Sequence, residues 1–207
     1  MKQTKDYLED ISQIRDIMER SSSFISLSGL SGVMAGIYAL IGSYIGYRIV
    51  YVEGSLFNAR EFYVNEQATI LKLGIVAAIV LILAITTGII LTARKSGGLS
   101  VSFTDEGFRN LISNLLIPLV AGGIFIIILV SRGYYGIVAP SFLIFYGLAL
   151  INGSKYTLRD IKYLGLVEIF LGLICAVFPG FGLIFWAVGF GLMHIFYGAF
   201  MYYKYER

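Results

Sequence analysis

A single cysteine, a single histidine and three prolines in 207 residues remove most site chemistries before any fold is considered. Cys175 has no partner for an intrachain disulfide, so nothing follows about redox compartment. One His, one Cys and isolated carboxylates on separate segments make no metal-ligand set, so no metal is expected. No nucleophile–base set stands out either, which argues against an enzyme. Gly189-Phe190-Gly191 lies inside an apolar run, without the strand–turn–helix setting of a dinucleotide loop, and no cofactor is expected. Charge is also scarce, at 14% of residues, and the net +3 implies no nucleic-acid partner.

What the chain has in abundance is apolar length. Hydrophobic residues make up 57% of it, gathered into six runs: Phe24–Tyr51, Thr69–Ala93, Leu111–Ser131, Tyr134–Asn152, Ile161–Phe178 and Phe181–Tyr203. Each has about 18 or more mostly apolar residues, enough to cross a hydrocarbon core of ~30 Å as a helix. Backbone amides in lipid need internal partners, so these runs are read as helices. The expected fold is all-α: a polytopic six-helix transmembrane bundle over 24–207, preceded by a cytosolic arm over 1–23.

Lys and Arg in short loops are retained on the cytoplasmic side. Twelve of the sixteen fall on one side: Lys2, Lys5, Arg15, Arg20, Arg94, Lys95, Arg109, Lys155, Arg159, Lys162, Lys204 and Arg207. Arg48, Arg60, Lys72 and Arg132 fall on the other, which gives N-in and C-in. Tyr134, Tyr135 and Trp186 then mark the outer boundary, and Tyr156, Tyr163, Tyr202, Tyr203 and Tyr205 the inner one. The sequon Asn152-Gly153-Ser154 falls on the cytosolic side, where it is irrelevant. The first run is too long, and its leader too polar, for a cleaved signal peptide.

In the arm, Tyr7, Ile11, Ile14 and Met18 recur at helical spacing, which predicts an amphipathic helix of about four turns. Its acids (Asp6, Glu9, Asp10, Asp16, Glu19) outnumber its bases, so attraction to anionic lipid is poor. Residues 1–20 are therefore expected to cap the bundle or to dock a cytosolic or membrane protein partner.

Small residues drive close helix packing in lipid. The first run carries Ser28, Gly32 and Gly36 on one line and Ser31, Ala35, Ala39 and Ser43 on another, which predicts a central helix; a homodimer face is the alternative. Pro118 and Pro140 predict kinks in the third and fourth helices, and Pro179 a tight outer turn. Thr157-Leu158-Arg159-Asp160 has capping-box spacing, placing a helix start just after Thr157. Asp105 and Glu106 suit the first turn of the third helix.

Glu168 and His194 are the ionisable side chains placed well inside the runs, tyrosines and boundary residues aside. An intramembrane carboxylate costs several kcal/mol and needs a partner or a proton. Counting residues from the cytosolic ends places the two at about the same depth on adjacent antiparallel helices. Ser31, Thr86, Thr87, Asn114, Tyr146 and Tyr197 share that level, so a polar pocket of eight residues is expected near the cytosolic half. The pair is read either as hydrogen-bonded glue or as a proton-coupled or ligand-binding site.

Ile144-Phe145-Tyr146-Gly147 recurs as Ile195-Phe196-Tyr197-Gly198, offset by one helical hairpin, which predicts three stacked hairpins. The run Leu164–Tyr203, with Phe178-Pro179-Gly180 at its turn, together with Ile25–Gly32, resembles an uncharacterised family of bacterial six-helix inner-membrane proteins. The glycine-bearing hairpin is more distantly similar to the repeat of acid-resistance membrane proteins. The resemblance implies a multi-pass bacterial inner-membrane location and brings no activity with it. The first functional reading is a non-enzymatic sensor, adaptor or assembly factor with cytosolic contacts. The alternative is a small proton-coupled transporter or permeation protein using Glu168 and His194.

Overall fold

A computed structural model describes Ile11 and residues 28–50, 67–95 and 106–207. The rest of the arm over 1–23, the loop bearing Arg60, and Asp105 lie outside these residues. Among the described residues the chain is all helix and turn: α1 (Gly29–Val50), α2 (Gln67–Lys95), α3 (Glu106–Ser131), α4 (Val138–Gly153), α5 (Ile161–Val177) and α6 (Gly182–Tyr205). A short 3₁₀ turn, Tyr135–Ile137, leads into α4.

Five of these, all but α5, are long and apolar enough to cross a membrane, α4 when taken with its 3₁₀ turn as Tyr135–Gly153. At 17 residues, α5 rises about 25 Å, less than the ~30 Å of a hydrocarbon core. It stops because Phe178 precedes Pro179, and the proline ring disfavours α-helical geometry in the residue before it. Phe178 accordingly leaves the helix at φ −115° and ψ 68°. Gly180, at φ 100°, then reverses the chain in a conformation open to glycine, so α6 returns antiparallel beside α5.

α1 packs on α2 and α6, and α4 packs on α3 and α5. The outer turns of α6 also reach α4 and α5. α2 lies at one edge: none of its most apolar stretch is buried, and Leu71, Ile75, Ile79 and Ile82 stand exposed along it. Apolar surface on that scale marks contact with a membrane or another protein.

Two interfaces in this arrangement are copies of one another. A Cβ on Gly165 of α5 would lie 2.7 Å from the Gly147 carbonyl oxygen of α4, and one on Gly172 would lie 2.7 Å from Ile144 Cγ1. On α1, a Cβ on Gly29 would lie 2.6 Å from the Gly198 carbonyl oxygen of α6, and one on Gly36 would lie 2.6 Å from Ile195 Cγ1. Gly147 and Gly198, like Ile144 and Ile195, are 51 residues apart, while Gly165 and Gly29, like Gly172 and Gly36, are 136 apart. The repeated tetrapeptide is thus a packing element: its glycine receives the backbone of an antiparallel helix. The small residues of α1 are spent here and, farther along, on Val80 and Trp186 at Gly42 and on Leu183 and Leu73 at Gly46.

Two local expectations are corrected. Pro140 is the third residue of α4 and fully buried; its missing amide falls in the first turn, where helix donors have no intrahelical acceptor, so no kink is required. Pro118, by contrast, sits mid-helix in α3. The start of α5 also falls later than just after Thr157: the helix begins at Ile161 with Asp160 as N-cap and no side-chain cap bond from it, and Asp160 Oδ2 accepts from Lys204 Nζ at 2.6 Å and Tyr205 Oη at 2.9 Å.

Candidate functional site: a buried carboxylate beside a π-helical turn

Glu168 projects from α5 between Gly165 and Gly172, the two glycines that bring α4 close. Its side chain is fully buried. Opposite, α6 changes its winding. Gly182–Trp186 and His194–Tyr205 are α-helical, but Ala187–Met193 is a π-helix. Wider turns of this kind are rare and cluster at functional sites. Gly189 within this segment leaves room for the carboxylate: a Cβ there would lie 2.5 Å from Glu168 Oε2 and 2.6 Å from Leu143 Cδ2.

His194 closes the π segment and is 7% exposed. Its Nδ1 lies 3.0 Å from the Gly189 carbonyl oxygen and 3.4 Å from Glu168 Oε1, and its Nε2 lies 2.7 Å from Tyr146 Oη on α4. A carbonyl can only accept, so in the neutral ring Nδ1 carries the proton and Nε2 accepts from the tyrosine hydroxyl. Aromatic contacts hold the assembly from the side, Tyr146 on Phe190 at 5.1 Å and Phe190 on Trp186 at 5.5 Å between ring centroids. Three helices therefore each supply one titratable side chain, in the order Tyr146, His194, Glu168.

The carboxylate is the unsatisfied member. Among the described residues neither of its oxygens has a hydrogen-bond partner. Leaving a buried charged group without partners costs several kcal/mol, more than an ordinary packing contact returns. The site is thus complete only with a proton or another positive partner on Glu168.

The remaining residues of the expected pocket make other bonds. Thr86 Oγ1 donates to the Ile82 carbonyl at 2.7 Å, Asn114 Nδ2 to the Asn110 carbonyl at 2.8 Å, and Ser31 Oγ to the Ser28 carbonyl at 2.6 Å, all within or at the start of their own helices. Thr87 pairs with Tyr38 Oη across α1 and α2 at 3.1 Å. The Tyr197 ring packs on Phe196 and Phe200. Each of these groups has a polar or aromatic neighbour closer to hand. The residues missed from sequence are Gly189 and Phe190, part of a glycine-rich run whose signal was the doublet Gly189-x-Gly191.

About two turns before Glu168 along α5, the chain end ties three helices together. Besides the Lys204–Asp160 pair, Glu206 accepts from the Gly29 amide and, at 3.3 Å, from Ser28 Oγ, so a carboxylate sits at the positive start of α1. The Lys204 ammonium holds the Asp160 carboxyl below its ordinary range, against a smaller opposing effect of burial.

Fold and site together define an all-α helical bundle with several membrane-length apolar helices and a buried ionisable centre. The chain matches no family model, no curated protein and no solved structure.

Proposed function

We propose that this chain is a multi-pass bacterial inner-membrane protein that works as a small proton-coupled transporter or permeation protein, with Glu168 as the proton-carrying group. The observation that carries this reading is a fully buried carboxylate with no hydrogen-bond partner among the described residues, 3.4 Å from an imidazole nitrogen. A pair kept only as glue would gain from satisfied oxygens, since a half-satisfied polar network is worse than an apolar one. Ionisable side chains inside membrane spans mark proton and ion pathways.

The proposed topology has six spans, as the resemblance to six-helix inner-membrane proteins implies, with both termini in the cytosol as the distribution of Lys and Arg favours. α5 counts as the sixth span because it runs antiparallel between α4 and α6, with flanking residues extending its reach. The bonds of Lys204 to Asp160 and of Glu206 to Gly29 put the start of α1, the start of α5 and the end of α6 at one end. Lys155, Arg159, Lys162, Lys204 and Arg207 cluster near that end in the sequence, which favours the cytosolic side for it. The adaptor reading depends on residues 1–20, which apart from Ile11 lie outside the described residues.

The test is proton uptake into proteoliposomes loaded with a pH-sensitive dye. The wild-type chain is expected to dissipate an imposed pH gradient, alone or with a co-substrate screened in parallel, and Glu168→Gln to abolish the flux. Equal flux with and without the carboxylate would overturn the proposal.

A further inference from the structure

The three titratable groups are not equivalent in access. Glu168 is fully buried and His194 nearly so, whereas Tyr146 is only partly buried. Among the described residues the titratable side chains facing Glu168 are His194 from α6 and Tyr146 from α4. Glu168 Oε2 faces Gly189, which offers no group that can carry a proton. We infer that Glu168 exchanges its proton through the His194 ring and the Tyr146 hydroxyl, and that Tyr146 is the positioning residue at the other end of that chain. This rests on the proton-linked reading and adds to it a path.

The step balances with a hydrated proton as its one added reactant, which leaves as water. The Tyr146 hydroxyl passes its proton to Nε2 over 2.7 Å while taking another from hydronium on its free lone pair. The ring releases the Nδ1 proton to Glu168 Oε1 over 3.4 Å. Tyrosine ends as it began, the imidazole changes tautomer, and the carboxylate becomes a carboxylic acid. The reverse transfer restores the Nδ1 proton and its bond to the Gly189 carbonyl. The Gly189 bond is what aims the ring, because it fixes which nitrogen faces the tyrosine.

Infrared difference spectroscopy on the full-length protein in lipid tests this. The carboxylic-acid carbonyl band assigned by its loss in Glu168→Gln should shift on transfer to heavy water. In Tyr146→Phe the band should persist and its shift should slow by roughly tenfold or more, the scale of a lost proton-relay group. His194→Asn, which keeps a donor near the Gly189 carbonyl but breaks the relay, should slow it likewise and guards against a Tyr146 variant that folds poorly. A band that shifts at the wild-type rate in both variants would overturn the route while leaving the proton-linked reading standing. Absence of any Glu168 acid band in the wild-type protein at every pH tried would overturn both.

Discussion

The α4–α5 and α6–α1 interfaces are built to one pattern and differ at two positions. Gly147 and Ile144 meet Gly165 and Gly172 as Gly198 and Ile195 meet Gly29 and Gly36. At the same offsets, however, Glu168 corresponds to Gly32, and His194 corresponds to Leu143, which is fully buried. Each interface thus keeps a small or apolar residue where the other carries an ionisable one. The packing is repeated and the chemistry is not, so the polar centre is an addition to a scaffold that closes without it. That is the pattern expected when a site is grafted on a fold rather than required by it.

The comparison breaks where backbone meets backbone, at the shared glycines. Gly147→Ala and Gly198→Ala each force a methyl into an opposing backbone, and backbone cannot swing aside as a side chain can. Each is expected to cost about 1–3 kcal/mol or more, read as a lowered melting temperature in detergent. Gly88 is the internal control: it lies within α2, where a Cβ would meet nothing within 4 Å. Gly88→Ala should be neutral, or stabilising by up to about 1 kcal/mol through helix propensity.

Leu143→Ala comes next, since it empties a fully buried position against the π segment. A loss of about 2–5 kcal/mol is expected on chemical or thermal unfolding. Gly189→Ala sharpens the contrast differently. The new methyl would meet the mobile ends of Glu168 and Leu143 rather than backbone, so stability should fall less than at Gly147 while proton flux is lost. Removing the carboxylate should relieve the clash, so a thermal double-mutant cycle of Gly189→Ala with Glu168→Ala should show favourable coupling.

Asp160→Asn is the smallest effect. Its carboxyl is held below the ordinary range chiefly by Lys204, and exposed pairs contribute little. A depressed folded-state value means that the contribution is present above about pH 4 and is lost as pH falls through that lowered value. The melting temperatures of variant and wild type should therefore differ slightly at neutral pH and converge in acid.

The apolar runs were legible from sequence because membrane length and periodicity are local properties. The meeting of Glu168 with His194 was legible for the same reason: a tight turn at Pro179-Gly180 turns residue counting into depth. What counting could not supply was direction around each helix axis. Thr86, Asn114 and Ser31 sit at suitable depths, but their short side chains bond a carbonyl three or four residues back, an option always open to such groups in a helix. The π segment was illegible because its cause is tertiary: glycines let the backbone widen where a carboxylate from another helix occupies the space. α5 falls short of a span length because Pro179 acts one residue upstream of itself.

The central claim is that Glu168 is there for its proton and not for packing, and one paired measurement on Glu168→Gln tests it. Melting temperature and proton flux would be recorded on the same reconstituted sample. The account predicts an unchanged or raised melting temperature with flux abolished. A sharp fall in melting temperature with flux intact would contradict it and return the pair to structural glue.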